Sequence, residues 1–287
     1  LYNSVISGVS LDGTRFLYEN WLAVVPEAHL YRQQGAPRRV PWFDCACCPP
    51  NLARLLAALG QYVYSQADDQ VWVHLYAAGK ATLDLGHTTV ELVQETAYPW
   101  KETVTLTLAP AAPSYFAVNL RIPGWCHGST VRVNGEQTQP RMVKGYARLM
   151  REWRRGDRIE LVLPMPIRRV MANPAVRQDV GRVALQRGPV IYCLEEVDNG
   201  RDLDAVVLPR NTNLTARYQP DLLGGVVQIA GRAKRHGWTG GKRLYAAAAP
   251  TQTNTRIKAV PYALWGNRRP GEMRVWIRES GPEEAAP

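Results

Sequence analysis

No apolar run in the 287 residues approaches the roughly 20 needed to cross a bilayer, so no membrane partner is expected. The opening stretch, LYNSVISGVSLDG, has neither a basic n-region nor an apolar h-region and does not read as a signal peptide. It also lacks an initiator Met and opens in mid-pattern, so the chain reads as a fragment of a longer protein. Lysine is scarce: 6 of the 35 basic residues, the other 29 being arginine. Formal net charge is +10, but the arginines are spread without a dense block. That argues against a phosphate-binding stripe, and nucleic acid is not the expected partner. Short repeats and low-complexity segments are absent. The five cysteines are an odd number, and three of them (Cys45, Cys47, Cys48) fall within four residues. A secreted disulfide framework spaces and pairs its cysteines, so this pattern excludes one and points to a reducing, cytoplasmic setting.

What is present is ordinary globular composition, 46% hydrophobic and 21% charged, at a length that suggests about two domains. SLDGTRFLYENW reads as a strand or turn pair around Asp12-Gly13, and residues 32–41, with Gly, two Pro and three Arg, as a loop. Leu52, Leu55, Leu56, Leu59, Tyr62 and Val63 recur at helical spacing, predicting a helix from Pro49 to about Tyr64 with one buried face. Pro49 and Pro50 suit its first turn, where backbone N–H groups have no intrahelical acceptor. Beyond residue 66 the period changes to two. Short candidate strands run from Val71–Tyr76 to Arg158–Leu163, broken at Pro123-Gly124, Asn134-Gly135 and Gly156-Asp157, as in an antiparallel sandwich. A second β-rich block follows Pro166, with strands at Arg182–Gln186, Val190–Glu195, Ala205–Leu208, Val226–Ala230, Lys258–Tyr262 and Met273–Arg278. Residues 198–204 and 231–256 read as long polar connections.

The stretch Trp42-Phe43-Asp44-Cys45-Ala46-Cys47-Cys48-Pro49-Pro50-Asn51 carries the chemistry. A helix N-terminus presents positive partial charge and free N–H groups, which favour a thiolate over a thiol. A bound zinc would deprotonate a coordinating thiol outright. Cys47 or Cys48 is therefore a candidate nucleophile or ligand. There is no second C-x-x-C, so any remaining zinc ligands must come from elsewhere. Cys45, Cys126 and Cys193 read as small buried hydrophobes. Asp44, Glu19 and Glu27 read as surface or loop hydrogen bonders, and His29 as a structural group. Trp72, Trp100, Trp125, Trp153 and Trp276 read as packing residues, leaving Trp42 as the tryptophan close to the motif.

The segment WFDCACCPPNLARLLAALGQYVYS closely resembles the active-site segment of glycoside hydrolase family 127, the β-L-arabinofuranosidases. SLDGTRFLYENWL, YPWKETVTLTL, LRIPGWC, RGPVIYCLE and PYALWGNRRPGEMRVW match in order, so the likeness spans nearly the whole chain. The resemblance implies a mixed, mainly β chain. Residues 1–66 would be the end of an (α/α)6-barrel catalytic domain, followed by antiparallel β-sandwich domains at 67–168 and 169–287. It implies a retaining glycosidase acting on terminal β-L-arabinofuranosyl groups of a glycan. Cys47 would be the nucleophile, Cys47 and Cys48 zinc ligands, and Tyr18 a substrate contact. The other zinc ligands and the acid/base Glu would lie upstream, leaving this polypeptide incomplete and inactive by itself. A second reading, of another class, is a non-catalytic module whose sandwiches bind glycan or form a homodimer through the C-terminal one. A third is a thiol-redox or nucleic-acid-binding protein.

Overall fold

The computed structural model describes residues 1–26, 38–45, 47–247 and 250–281. Strands dominate. Contacts gather residues 53–166 into one unit and residues 1–52 with 167–287 into another.

In the 53–166 unit, period-two patterning decides which side chains go inside. Thr89–Thr96 buries Val90, Leu92 and Gln94 and turns the alternate residues outward. It sits in a six-stranded sheet ordered Gly79–Asp84, Thr89–Thr96, Thr103–Pro110, Asp157–Val162, Thr130–Val133, Glu136–Thr138. A five-stranded sheet runs Arg141–Val143, Tyr146–Trp153, Ser114–Arg121, Gln70–Val73, Tyr64–Ala67. Both sheets feed one core: Val104, Leu106, Ile159 and Leu161 from the first meet Val71, Phe116, Val118 and Leu120 from the second. Trp153 is fully buried there and donates its Nε1–H to the Phe116 carbonyl at 3.0 Å. Gln94, the polar residue at an inward position, donates to the Ala77 carbonyl at 2.8 Å and to Tyr64 Oη at 3.1 Å. The Asn134-Gly135 turn has φ of 53° and 87° and joins Val133 to Glu136 as a two-residue hairpin loop. One pairing departs from the expected antiparallel pattern. Gln70–Val73 lies parallel to Ser114–Arg121, because strands so far apart in sequence need no tight hairpin between them.

In the other unit, the strands pair around a ring. Val190–Glu195 pairs Thr251–Pro261, which pairs Val226–Gly237, then Val206–Pro209, Ile277–Ser280 and Arg182–Arg187, which returns to Val190–Glu195. Closure removes the free edges an open sheet would leave. Its Val206–Pro209 and Ile277–Ser280 pairing is parallel. Besides the predicted strands, Ile167–Val170 and Thr215–Gln219 form strands that the sequence did not mark, and so does much of the expected connection 231–256. There Val226–Gly237 and Thr251–Pro261 continue as a ribbon with Gly231 opposite Ile257 and Gly237 opposite Thr251. This stretch is largely polar because, apart from Ala233 and Ile257, few of its side chains reach the core, so no alternation marks it.

The predicted helix forms as an α-helix over Cys48–Ala58 and a 3-10 turn over Leu59–Tyr62. Its apolar face is not buried as expected: Leu55 and Leu56 are each 37% exposed and Tyr62 56%. Local periodicity and the two prolines suffice to shape a helix, but burial requires an opposing surface, which the described residues do not supply.

Candidate active site

The site is assembled by two short segments of the 1–52 region. Ser10–Thr14 makes the expected turn: Gly13 has φ of 74° and donates its N–H to the Ser10 carbonyl at 2.9 Å, while Asp12 Oδ1 accepts from Ser10 Oγ at 2.5 Å. Phe16 then bridges Val9 on one side and Val40 on the other. Leu17 is buried with Val24, Cys193, Val260 and Trp265. In extended backbone the next side chain points the opposite way, which carries Tyr18 out of that core. The second segment is anchored by Arg39, buried at 5% exposure, whose guanidinium donates to the carbonyls of Ser7 at 2.7 Å and Trp265 at 2.9 Å. Phe43 meets Tyr18 edge-to-face, with ring centroids 5.2 Å apart.

Cys47 lies at the start of the helix. Its carbonyl accepts from the backbone N–H of Asn51 at 3.3 Å and from Asn51 Nδ2 at 2.9 Å, so the first turn holds the cysteine backbone in place. Its Sγ lies 3.7 Å from Tyr18 Oη and 3.4 Å from Cys48 Sγ. Hydrogen bonding from Tyr18, then from Cys48 and Cys45, pulls the Cys47 thiol below its ordinary value. The same Tyr18 contact pushes the phenol up to about 12, so the tyrosine stays protonated as a donor. Cys48 moves the other way: burial first, then its neighbour Cys47, raise its thiol. Of the two adjacent thiols, the exposed Cys47 is thus the more easily ionised.

The structure brings Tyr18, expected as a substrate contact, to the sulfur of Cys47 beside Cys48, a meeting the sequence reading did not state. Cys126 and Cys193 are buried as expected. Cys45 is not: it is exposed, because its loop backbone is not part of a core-facing strand. Trp42 is exposed at 60% beside the motif. Glu19 accepts from Trp21 Nε1 at 2.5 Å, and Asp44 is exposed. Glu27 and His29 lie outside the described residues, as does the 32–37 part of the expected loop. Arg39 and Phe43 were not singled out by the sequence; an arginine in a Pro/Gly-rich loop carries no local signal that its partners are the carbonyl of Ser7 and carbonyls more than 200 residues away.

Two thiols 3.4 Å apart can occupy two corners of one tetrahedral zinc with Zn–S bonds of about 2.3 Å. Among the described residues no group of three or more His, Cys, Asp or Glu side chains is arranged to hold a metal ion. The pair by itself therefore fits two of the four corners of a zinc site.

Three family models together match most of the chain. Residues 1–61 match the model of the beta-L-arabinofuranosidase GH127 catalytic domain, residues 70–165 the GH127 middle domain, and residues 167–278 the glycoside hydrolase family 127 C-terminal domain. A non-reducing end beta-L-arabinofuranosidase of Bifidobacterium longum subsp. longum is 38% identical over 97% of this chain and 44% of its own length. The crystal structure of a GH127 beta-L-arabinofuranosidase from Geobacillus stearothermophilus T6 superposes with a TM-score of 0.93 at 47% identity, over 97% of this chain and 45% of that one. A GH127 beta-arabinofuranosidase gives 0.87 at 34% identity, over 98% and 45%. The chain spans somewhat under half the length of these relatives.

Proposed function

Since the chain belongs to glycoside hydrolase family 127, we propose that it takes part in releasing terminal β-L-arabinofuranose from glycans, with Cys47 as the nucleophile of a retaining reaction. The observation that carries the reading is the Cys47 thiol, exposed at a helix start with Tyr18 Oη 3.7 Å from its sulfur. In the first step the thiolate bonds to the anomeric carbon as the C–O bond to the leaving group breaks, and that oxygen takes a proton from an acid. In the second, water adds to the anomeric carbon, gives its proton to the same group acting as base, and the thiolate leaves. Tyr18 keeps the sulfur aimed by donating its O–H. Cys47 and Cys48 would hold zinc, which when bound keeps a thiolate ionised.

Among the described residues no carboxylate is hydrogen-bonded to Cys47 Sγ; Glu19 is engaged by Trp21. We read the acid/base as a group outside the described residues. We read residues 1–66 as the end of an (α/α)6-barrel, with β-sandwich domains at 67–168 and 169–287, the second with its edges joined. The family models' boundaries support this reading. Five free thiols suit a reducing compartment such as the cytoplasm.

The test is hydrolysis of a terminal β-L-arabinofuranosyl substrate by the whole enzyme carrying Cys47→Ala, with mass spectrometry of the wild type under quench. Turnover should fall by at least 1,000-fold, on the order of 4 kcal/mol, and a pentosyl adduct should map to Cys47. Turnover retained in the variant refutes the nucleophile.

A further inference from the structure

Far along the chain from Cys47, the ribbon Val226–Gly237 and Thr251–Pro261 sets two arginines directly opposite each other: Arg232 pairs with Arg256 in register. Their ladder neighbours Gly231, Ala233 and Ile257 are buried, so both arginines face outward, and both are exposed. Like charges placed directly across a strand pair destabilise a sheet. Among the described residues neither guanidinium has an ion pair or a hydrogen bond. In the same unit Arg169 and Arg210, by contrast, share Glu279.

The two arginines stand between two clefts, of about 420 Å³ and 290 Å³. Asn211, Thr212, Asn213 and Thr215 line the first; Lys234, Asn254 and Thr255 line the second. Among the described residues no acidic side chain and no aromatic ring lines either one. A guanidinium fork matches a carboxylate with two parallel hydrogen bonds, and amides and hydroxyls around it match sugar hydroxyls. A single-stranded nucleic acid would want stacking platforms, which are missing here.

We infer that the Arg232–Arg256 face binds a carboxylate-bearing sugar, the uronate units of an acidic oligosaccharide. The two opposed cations, costly by themselves, are stabilised when a carboxylate lies between them. The site is independent of the Cys47 chemistry, so either can fail without the other.

The experiment is isothermal titration calorimetry of the full chain with trigalacturonate, its methyl ester, inorganic phosphate and a single-stranded oligonucleotide at 150 mM salt. Trigalacturonate should bind saturably, and the ester, which lacks the charge, at least tenfold more weakly. Arg232→Gln and Arg256→Gln should each weaken binding at least fivefold with circular dichroism unchanged. Both side chains are exposed, and Arg232→Lys, which keeps charge but loses the fork, should fall between. The proposal is overturned by absent saturation, by equal binding of the ester, by phosphate or oligonucleotide binding as tightly as trigalacturonate, or by unchanged affinity in both glutamine variants.

Discussion

Tyr18 is the first of three side chains that lower the Cys47 thiol, ahead of Cys48 and Cys45. Tyr18 donates to the sulfur, and that contact is the first cause of the lowered thiol pKa. A thiol whose value is lowered keeps its anion down to lower pH and loses it only as pH falls through the lowered value. In chelator-treated protein, iodoacetamide should therefore label Cys47 at lower pH than an ordinary thiol, while Cys48, raised by burial, reacts only at higher pH. Tyr18→Phe removes the donor and should move the Cys47 inflection upward; a pH–rate profile identical to wild type would remove tyrosine from the account. Cys47 and Cys48 were legible in the sequence because adjacent thiols before Pro-Pro and a helical repeat are a local pattern. Cys45 was misjudged as buried, since spacing alone does not say which loop side chains reach a core.

The strands of the 53–166 region could be placed from the chain alone because inward and outward residues alternate, as in Thr89–Thr96. The distal ribbon could not, since backbone pairing holds it with little help from side-chain burial. That difference has a measurable consequence. Amides at Val227 and Ile229, whose side chains are buried, should be protected from hydrogen exchange far better than those at His236 and Gly237, at the ribbon's end beyond the Val206–Arg235 pairing. Exchange by NMR or mass spectrometry checks it, and uniform protection along Val226–Gly237 would contradict the weak anchoring of that end. The helix Cys48–Ala58 shows the converse: periodicity predicted its existence and not its burial, because a stripe of leucines declares a need for a partner without providing one.

At the scale of the molecule, each unit carries a core of its own. The cluster joining Val71, Phe116, Trp153 and Ile159 draws only on residues 64–163. An excised chain of residues 63–166 should therefore fold by itself, with β-type circular dichroism and one cooperative urea transition; a broad, non-cooperative melt would show that it depends on the rest. Sequence alone settled the β-rich class, most strand positions, the thiol pair and the family, because each rests on short-range pattern or on residue identity. It could not settle three pairings. Tyr18 meets Cys47 across 29 positions, Arg39 reaches Trp265 across 226, and the strand ring needs Val206–Pro209 to lie parallel to the distant Ile277–Ser280, with Val207 opposite Arg278. Such contacts leave no periodicity along the chain. They are chosen when buried carbonyls, guanidinium groups and strand edges find partners in three dimensions, a choice made by the whole fold.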